Sequence, residues 1–170
     1  MNHILKVLSL MTLLVMFSCS NEEAEIYEVT EEEVYAEFPE MGKDVMILTN
    51  EYRSESYDLN TLEFSQEAYD MALAQCIYMA DSKKLEHANF SNRASKLASK
   101  VDADAVAENI AAYYTSAEDT FVGWTLSEGH NKNLLGDFTH AAVAVISNSK
   151  GEYFYTQVFF KKNVSQLASE

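Results

Sequence analysis

Apolar residues recur with helical spacing in the first half of the folded part of the chain. Val45, Leu48 and Tyr52 follow the i, i+3, i+7 spacing of one helix face. This spacing predicts a short amphipathic helix from about Asp44.

A second helix is predicted to begin after Ser65. The Ser65 hydroxyl can cap it, and Phe64 can pack against Tyr69 across the first turn. Its apolar stripe is wide and consists of Ala68, Tyr69, Ala72, Leu73, Cys76, Ile77 and Ala80. A stripe of that width indicates packing on a broad, flat surface. Cys76 lies within it and is expected to be a small buried residue rather than a reactive thiol.

A third helix is predicted to begin at Ser116, because Ser116 and Asp119 have the spacing of a capping box. The residues expected to face inward are Phe121, Trp124 and Leu126. Gly129 and Gly136 are expected to end helices.

The pattern changes in the last third of the chain. Residues 140–147 (HAAVAVIS) and 153–160 (YFYTQVFF) are apolar on both alternating faces, and a turn sequence from Asn148 to Gly151 joins them. The pair should be antiparallel, and strands without a polar face need cover on both sides. The expected fold is therefore α/β (α+β): a three-layer α-β-α sandwich with a mainly antiparallel sheet.

The N-terminus has the pattern of a secretory signal. A basic start precedes an apolar run from Val7 to Phe17, which is too short to span a bilayer. Ser18-Cys19 at its end resembles the lipobox of bacterial lipoproteins, which implies cleavage before Cys19 and a lipid on its thiol. Ser20 after the cysteine implies the outer membrane. The alternative is an ordinary signal peptide cleaved near Ser20.

A strongly acidic segment lies between the predicted signal and the folded domain. Residues 22–37 contain eight Glu and no Lys or Arg, so a solvated tether is expected between the membrane and the domain. The predicted division is a signal peptide at 1–18, an acidic tether at 19–40 and one domain at 41–165. The 170-residue chain has a net charge of −15, which argues against nucleic acid as a partner.

Few residues suggest a catalytic or metal site, and no phosphate-binding loop, nucleophile elbow or zinc-protease motif is present. His87, Glu108 and His130 are candidates, but residues so far apart in sequence are more often surface or core residues than a site.

Five short sequence strings nevertheless favour a functional site. In chain order they are Asn50–Arg53, His87 with Phe90 and Arg93, Glu108–Ala112, Trp124 to Leu135, and Thr156–Phe159. Over roughly residues 44–160 they resemble the CAP-domain family of cysteine-rich secretory, antigen-5 and pathogenesis-related-1 proteins, also called SCP-like. This resemblance implies an α-β-α sandwich, in agreement with the strand pattern.

The resemblance also implies a central cleft. His87 matches the first histidine of the family, Glu108 the first glutamate and His130 the second histidine, while Ser127 stands where many members have a second glutamate. Some members bind a divalent metal such as zinc in this cleft, and His87, Glu108 and His130 could supply three ligands. Alternatively, Glu108 and His130 satisfy backbone groups only.

Together these features predict a lipid-anchored protein of the bacterial cell envelope, held at the outer membrane through Cys19. Its cleft is expected to bind a small lipidic or peptide ligand, or a partner protein, without catalysis. The alternative is a metal-dependent hydrolase with Glu108 as the general base.

Overall fold

The computed structural model describes residues 39–163. The predicted signal peptide, Cys19, the tether up to residue 38 and the last two residues of the predicted domain lie outside that range. Across residues 39–163, every helix is too short or too polar to cross a membrane.

Five helices and four strands make up the described fold. The helices are α1 (Pro39–Glu51), α2 (Gln66–Ser82), α3 (Phe90–Val101), α4 (Ala117–Leu126) and α5 (Glu128–Leu134). The strands are β1 (Glu63–Phe64), β2 (Ala103–Ala112), β3 (His140–Ser147) and β4 (Tyr153–Lys162). A π-helical turn, Tyr52–Ser56, follows α1 directly.

The strands form one sheet in the order β1-β3-β4-β2. The predicted hairpin is confirmed, because β3 and β4 pair antiparallel from His140 opposite Phe160 to Ser147 opposite Tyr153. β2 pairs antiparallel with the other side of β4, and only the short β1 is parallel to its neighbour. β2 is therefore an edge strand, and this position matters for the site.

Helices cover both faces of the sheet. On one face, α2 and Leu97 of α3 pack on alternate strand residues, including Ile110, Ala144 and Val158. On the other face, α1, α4 and α5 pack on the intervening residues, such as Ala111, Val143 and Phe159. The predicted α-β-α sandwich is thus confirmed.

The two serine caps predicted for α2 and α4 are confirmed. The Ser65 hydroxyl accepts a hydrogen bond from the Ala68 amide at 3.3 Å, and the Ser116 hydroxyl accepts one from the Asp119 amide at 3.0 Å. Cys76 is fully buried, and burial raises the pKa of its thiol to about 12, as suits an unreactive core residue.

Three local predictions were wrong. Trp124 is buried, but Leu126 is 82% exposed. Two positions along a helix rotate a side chain by about 200°, so the two residues cannot both face inward. Gly129 lies inside α5 rather than at a helix end, and α1 begins at Pro39, ahead of Asp44.

A buried arginine joins the end of α1 to the chain entering β3. Arg53 has no exposed surface, and its guanidinium donates to the carbonyls of Asn60 at 2.9 Å, Leu134 at 2.7 Å and Gly136 at 2.9 Å. Burial lowers the pKa of Arg53, and nearby Asp137 opposes that shift. The guanidinium stays charged at neutral pH and bridges two backbone segments through three carbonyls.

Candidate functional site

The candidate site lies across edge strand β2, where the two helical layers meet. Consecutive strand residues point to opposite faces of a sheet. Glu108 points toward the α3 layer, where it contacts His87 and Arg93, whereas Asn109 points toward α5, where it contacts Asn133. The edge of β2 thus carries polar side chains that face both helical layers.

Glu108 is the buried centre of the site. Its side chain is 1% exposed, and both carboxylate oxygens are bound. Arg93 donates from Nη1 to Oε2 at 2.7 Å and from Nη2 to Oε1 at 3.1 Å, while Nδ1 of His87 lies 2.9 Å from Oε1. A bidentate guanidinium pair of this kind is strong and fixes the geometry.

Arg93 is itself held in place. Its Nε donates to the carbonyl of Ala88 at 2.9 Å, and its guanidinium lies 5.8 Å from the centre of the Phe90 ring. Asn89, in the left-handed region with φ of 52°, turns the chain into α3 just before Arg93. The loop that carries His87 and the start of α3 therefore both place a side chain against the Glu108 carboxylate.

His87 forms the exposed side of the cluster. Its side chain is 47% exposed, and its ring lies 6.3 Å from that of Phe90. With Nδ1 directed at the carboxylate, the Nδ1–H tautomer leaves Nε2 as a hydrogen-bond acceptor.

His130 lies in the other layer, on α5. Its ring is 6.4 Å from the ring of Trp124, and its carbonyl accepts from Nδ2 of Asn109 at 3.2 Å. Burial lowers the pKa of His130, and the nearby His87 lowers it further. The two histidines are thus close enough to interact electrostatically, although no hydrogen bond joins them in the described part of the chain.

Ser127 lies at the junction between α4 and α5. Its amide donates to the carbonyl of Trp124 at 3.3 Å, and its carbonyl accepts from the amide of Asn131 at 2.8 Å. Ser127 therefore shapes the chain next to His130. Its position on the cleft border stays a prediction.

Asn133 joins α5 to the edge strand β2. Its Nδ2 donates to the backbone carbonyl of Glu108 at 3.2 Å and to Oδ1 of Asn109 at 2.9 Å. Neither Asn133 nor Arg93 was predicted as a site residue, although both stand in strings that carry the family resemblance. Arg93 stands six positions after His87 in one of those strings, and this spacing could have identified it as a site residue.

The donor set does not fit the zinc that the resemblance implies. Both oxygens of Glu108 already accept charge-assisted hydrogen bonds, and Arg93 places a positive charge beside them. Within residues 39–163, no group of three or more His, Cys, Asp or Glu side chains could hold a metal ion. The expected set of His87, Glu108 and His130 is not assembled as three zinc ligands.

Solved structures share the fold. An extracellular protein containing an SCP domain from Bacillus anthracis superposes with a TM-score of 0.64 at 29% identity, over 79% of this chain and 44% of that one. An outer surface protein from Borrelia burgdorferi gives a TM-score of 0.61 at 18% identity, over 71% and 94% of the two chains. The second likeness shows the fold alone.

Sequence comparison gives the family. An uncharacterized membrane protein of Bacillus subtilis is 32% identical over 124 residues, which are 71% of this chain and 34% of that protein. The chain therefore spans about a third of the length of this curated relative. The model of the cysteine-rich secretory protein family, CAP, matches residues 46–159, which include His87, Glu108 and His130. With that match over most of the described fold, the chain belongs to the CAP family of cysteine-rich secretory proteins.

Proposed function

We propose that this protein is a cell-envelope CAP protein whose cleft at the β2 edge binds a ligand or partner without catalysis. The proposal rests on one observation: the side chains of the cluster differ in their exposure and in their hydrogen bonding. Glu108 is buried and fully bonded, whereas His87 is about half exposed beside it. The His130 ring forms no hydrogen bond within residues 39–163, so its nitrogens are available to a ligand.

The same geometry argues against the hydrolase alternative. A general base must reach the proton that it removes, directly or through one water. The carboxylate of Glu108 is 1% exposed, and both of its oxygens accept hydrogen bonds from Arg93. Glu108 is therefore better suited to holding His87 than to activating water in the cleft.

A ligand screen tests the binding proposal. We expect at least one member of a panel of short peptides and fatty acids to raise the melting temperature of the full-length protein. His130→Ala should remove that increase, whereas His140→Ala should keep it, because His140 stacks on Phe160 at 4.7 Å, two strands away from β2.

Two results would contradict the proposal. One is a set of ligands that stabilise His130→Ala as well as the wild type. The other is cleavage of a panel peptide that is lost in Glu108→Gln, which would favour the hydrolase.

We further propose that a lipid on Cys19 anchors the protein at the bacterial outer membrane. The lipobox-like Ser18-Cys19 supports this location, as do two similar proteins described as an extracellular protein and a membrane protein. Because several acyl chains bind a bilayer stably, Cys19→Ala should move the protein from the membrane fraction to the soluble fraction. Mass spectrometry that finds an unmodified N-terminus downstream of Cys19 would contradict the anchor.

A further inference from the structure

We propose that Arg93 is the resident cation of the cleft and that the cleft binds its ligand without a divalent metal. The inference rests on the proposed function in one respect, that the same cleft is the binding site. It assigns to Arg93 the neutralisation of Glu108 that a metal would otherwise provide.

Arg93 already occupies both oxygens of the Glu108 carboxylate. A zinc ion bound to Glu108 would need an oxygen at about 2.0–2.2 Å. The Arg93 nitrogens already lie 2.7 Å from Oε2 and 3.1 Å from Oε1, so a metal there would stand beside a guanidinium of the same sign. Arg93 cannot relieve this repulsion by losing its proton, because guanidinium stays charged in proteins.

Without the Glu108 carboxylate, too few side chains remain in the cluster to hold zinc. Catalytic zinc sites use three protein ligands. His87 directs Nδ1 at Glu108 and retains one ring nitrogen, and His130 offers a second imidazole. Ser127, close to His130 in the chain, offers only a hydroxyl, which is a much poorer ligand for zinc than a carboxylate.

Arg93 cannot easily move away from Glu108. Its Nε is bonded to the Ala88 carbonyl, and the plane of its guanidinium is fixed by two contacts with Glu108. A ligand therefore meets hydrogen-bonding imidazoles rather than a Lewis acid.

Zinc titration of the untagged full-length protein tests this inference. In calorimetry with zinc chloride, we expect no stoichiometric binding to the wild type and no change in its melting temperature. Arg93→Met frees the carboxylate and should bind zinc at least tenfold more tightly than the wild type. The double variant Arg93→Met/His87→Ala should lose that gain.

One equivalent of zinc bound by the wild type and lost in His87→Ala would overturn the inference. So would equal zinc affinity of the wild type and Arg93→Met. Should Arg93→Met not fold, Arg93→Gln replaces it, and the wild-type titration stands by itself. Zinc binding by the wild type would leave the ligand screen unaffected, so failure of this inference and failure of the proposed function are distinguishable.

Discussion

Arg93→Met should lower the free energy of unfolding by about 3 kcal/mol, because it leaves the buried Glu108 without its guanidinium partner. Breaking a buried ion pair from one side costs more than the pair contributes, since the remaining charge stays desolvated. Urea unfolding followed by circular dichroism measures the change as a shift in midpoint at constant slope.

Two controls show whether this loss comes from the buried charge. The double variant Arg93→Met/Glu108→Gln should lose less than the sum of the two single variants, because the unpaired charge is gone. Lys43→Met removes an exposed partner of Glu40 and should have little effect. An Arg93→Met protein as stable as the wild type would contradict this account, because His87 alone would then satisfy the buried carboxylate.

Arg53→Met should destabilise the protein by a similar amount, about 3 kcal/mol, for a different reason. Three backbone carbonyls accept from this guanidinium, and each buried acceptor left without a partner costs about 1–3 kcal/mol. Arg53→Lys keeps the charge but cannot reach three acceptors in a fork, so an intermediate loss is expected. The same urea measurement checks both variants, and a neutral Arg53→Met would contradict the bridging role.

The clearest sequence pattern, which is that of β3 and β4, led to the most accurate prediction of the fold. β3 and β4 are apolar on both faces because helices cover both, so their pattern alone predicted the hairpin and the sandwich. β2 carries no such signal, because its sequence ADAVAENIAA is rich in residues that are poor strand formers.

Helix α3 was not predicted, although its sequence carries a helical signal. Phe90, Leu97 and Val101 have the spacing of one helix face and pack against the core.

Sequence strings located His87, Glu108 and His130, but their physical roles needed the fold. α3 rises about 12 Å from Arg93 to its end. β2 then returns about 17 Å from Ala103 to Glu108. This reversal of the chain brings Arg93 and Glu108, which are fifteen positions apart, into a bidentate ion pair. No local sequence spacing predicts that contact.

Arg93 and His87 hold the Glu108 carboxylate as one unit, and the tautomer of His87 tests this arrangement most directly. Long-range ¹H–¹⁵N NMR at about pH 8.5, where an ordinary imidazole is neutral, reports which ring nitrogen carries the proton. With Nδ1 2.9 Å from Oε1, the wild type should show the Nδ1–H tautomer, and Glu108→Leu should lose that preference. A wild-type His87 with its proton mainly on Nε2, unchanged in Glu108→Leu, would contradict the arrangement on which the binding cleft depends.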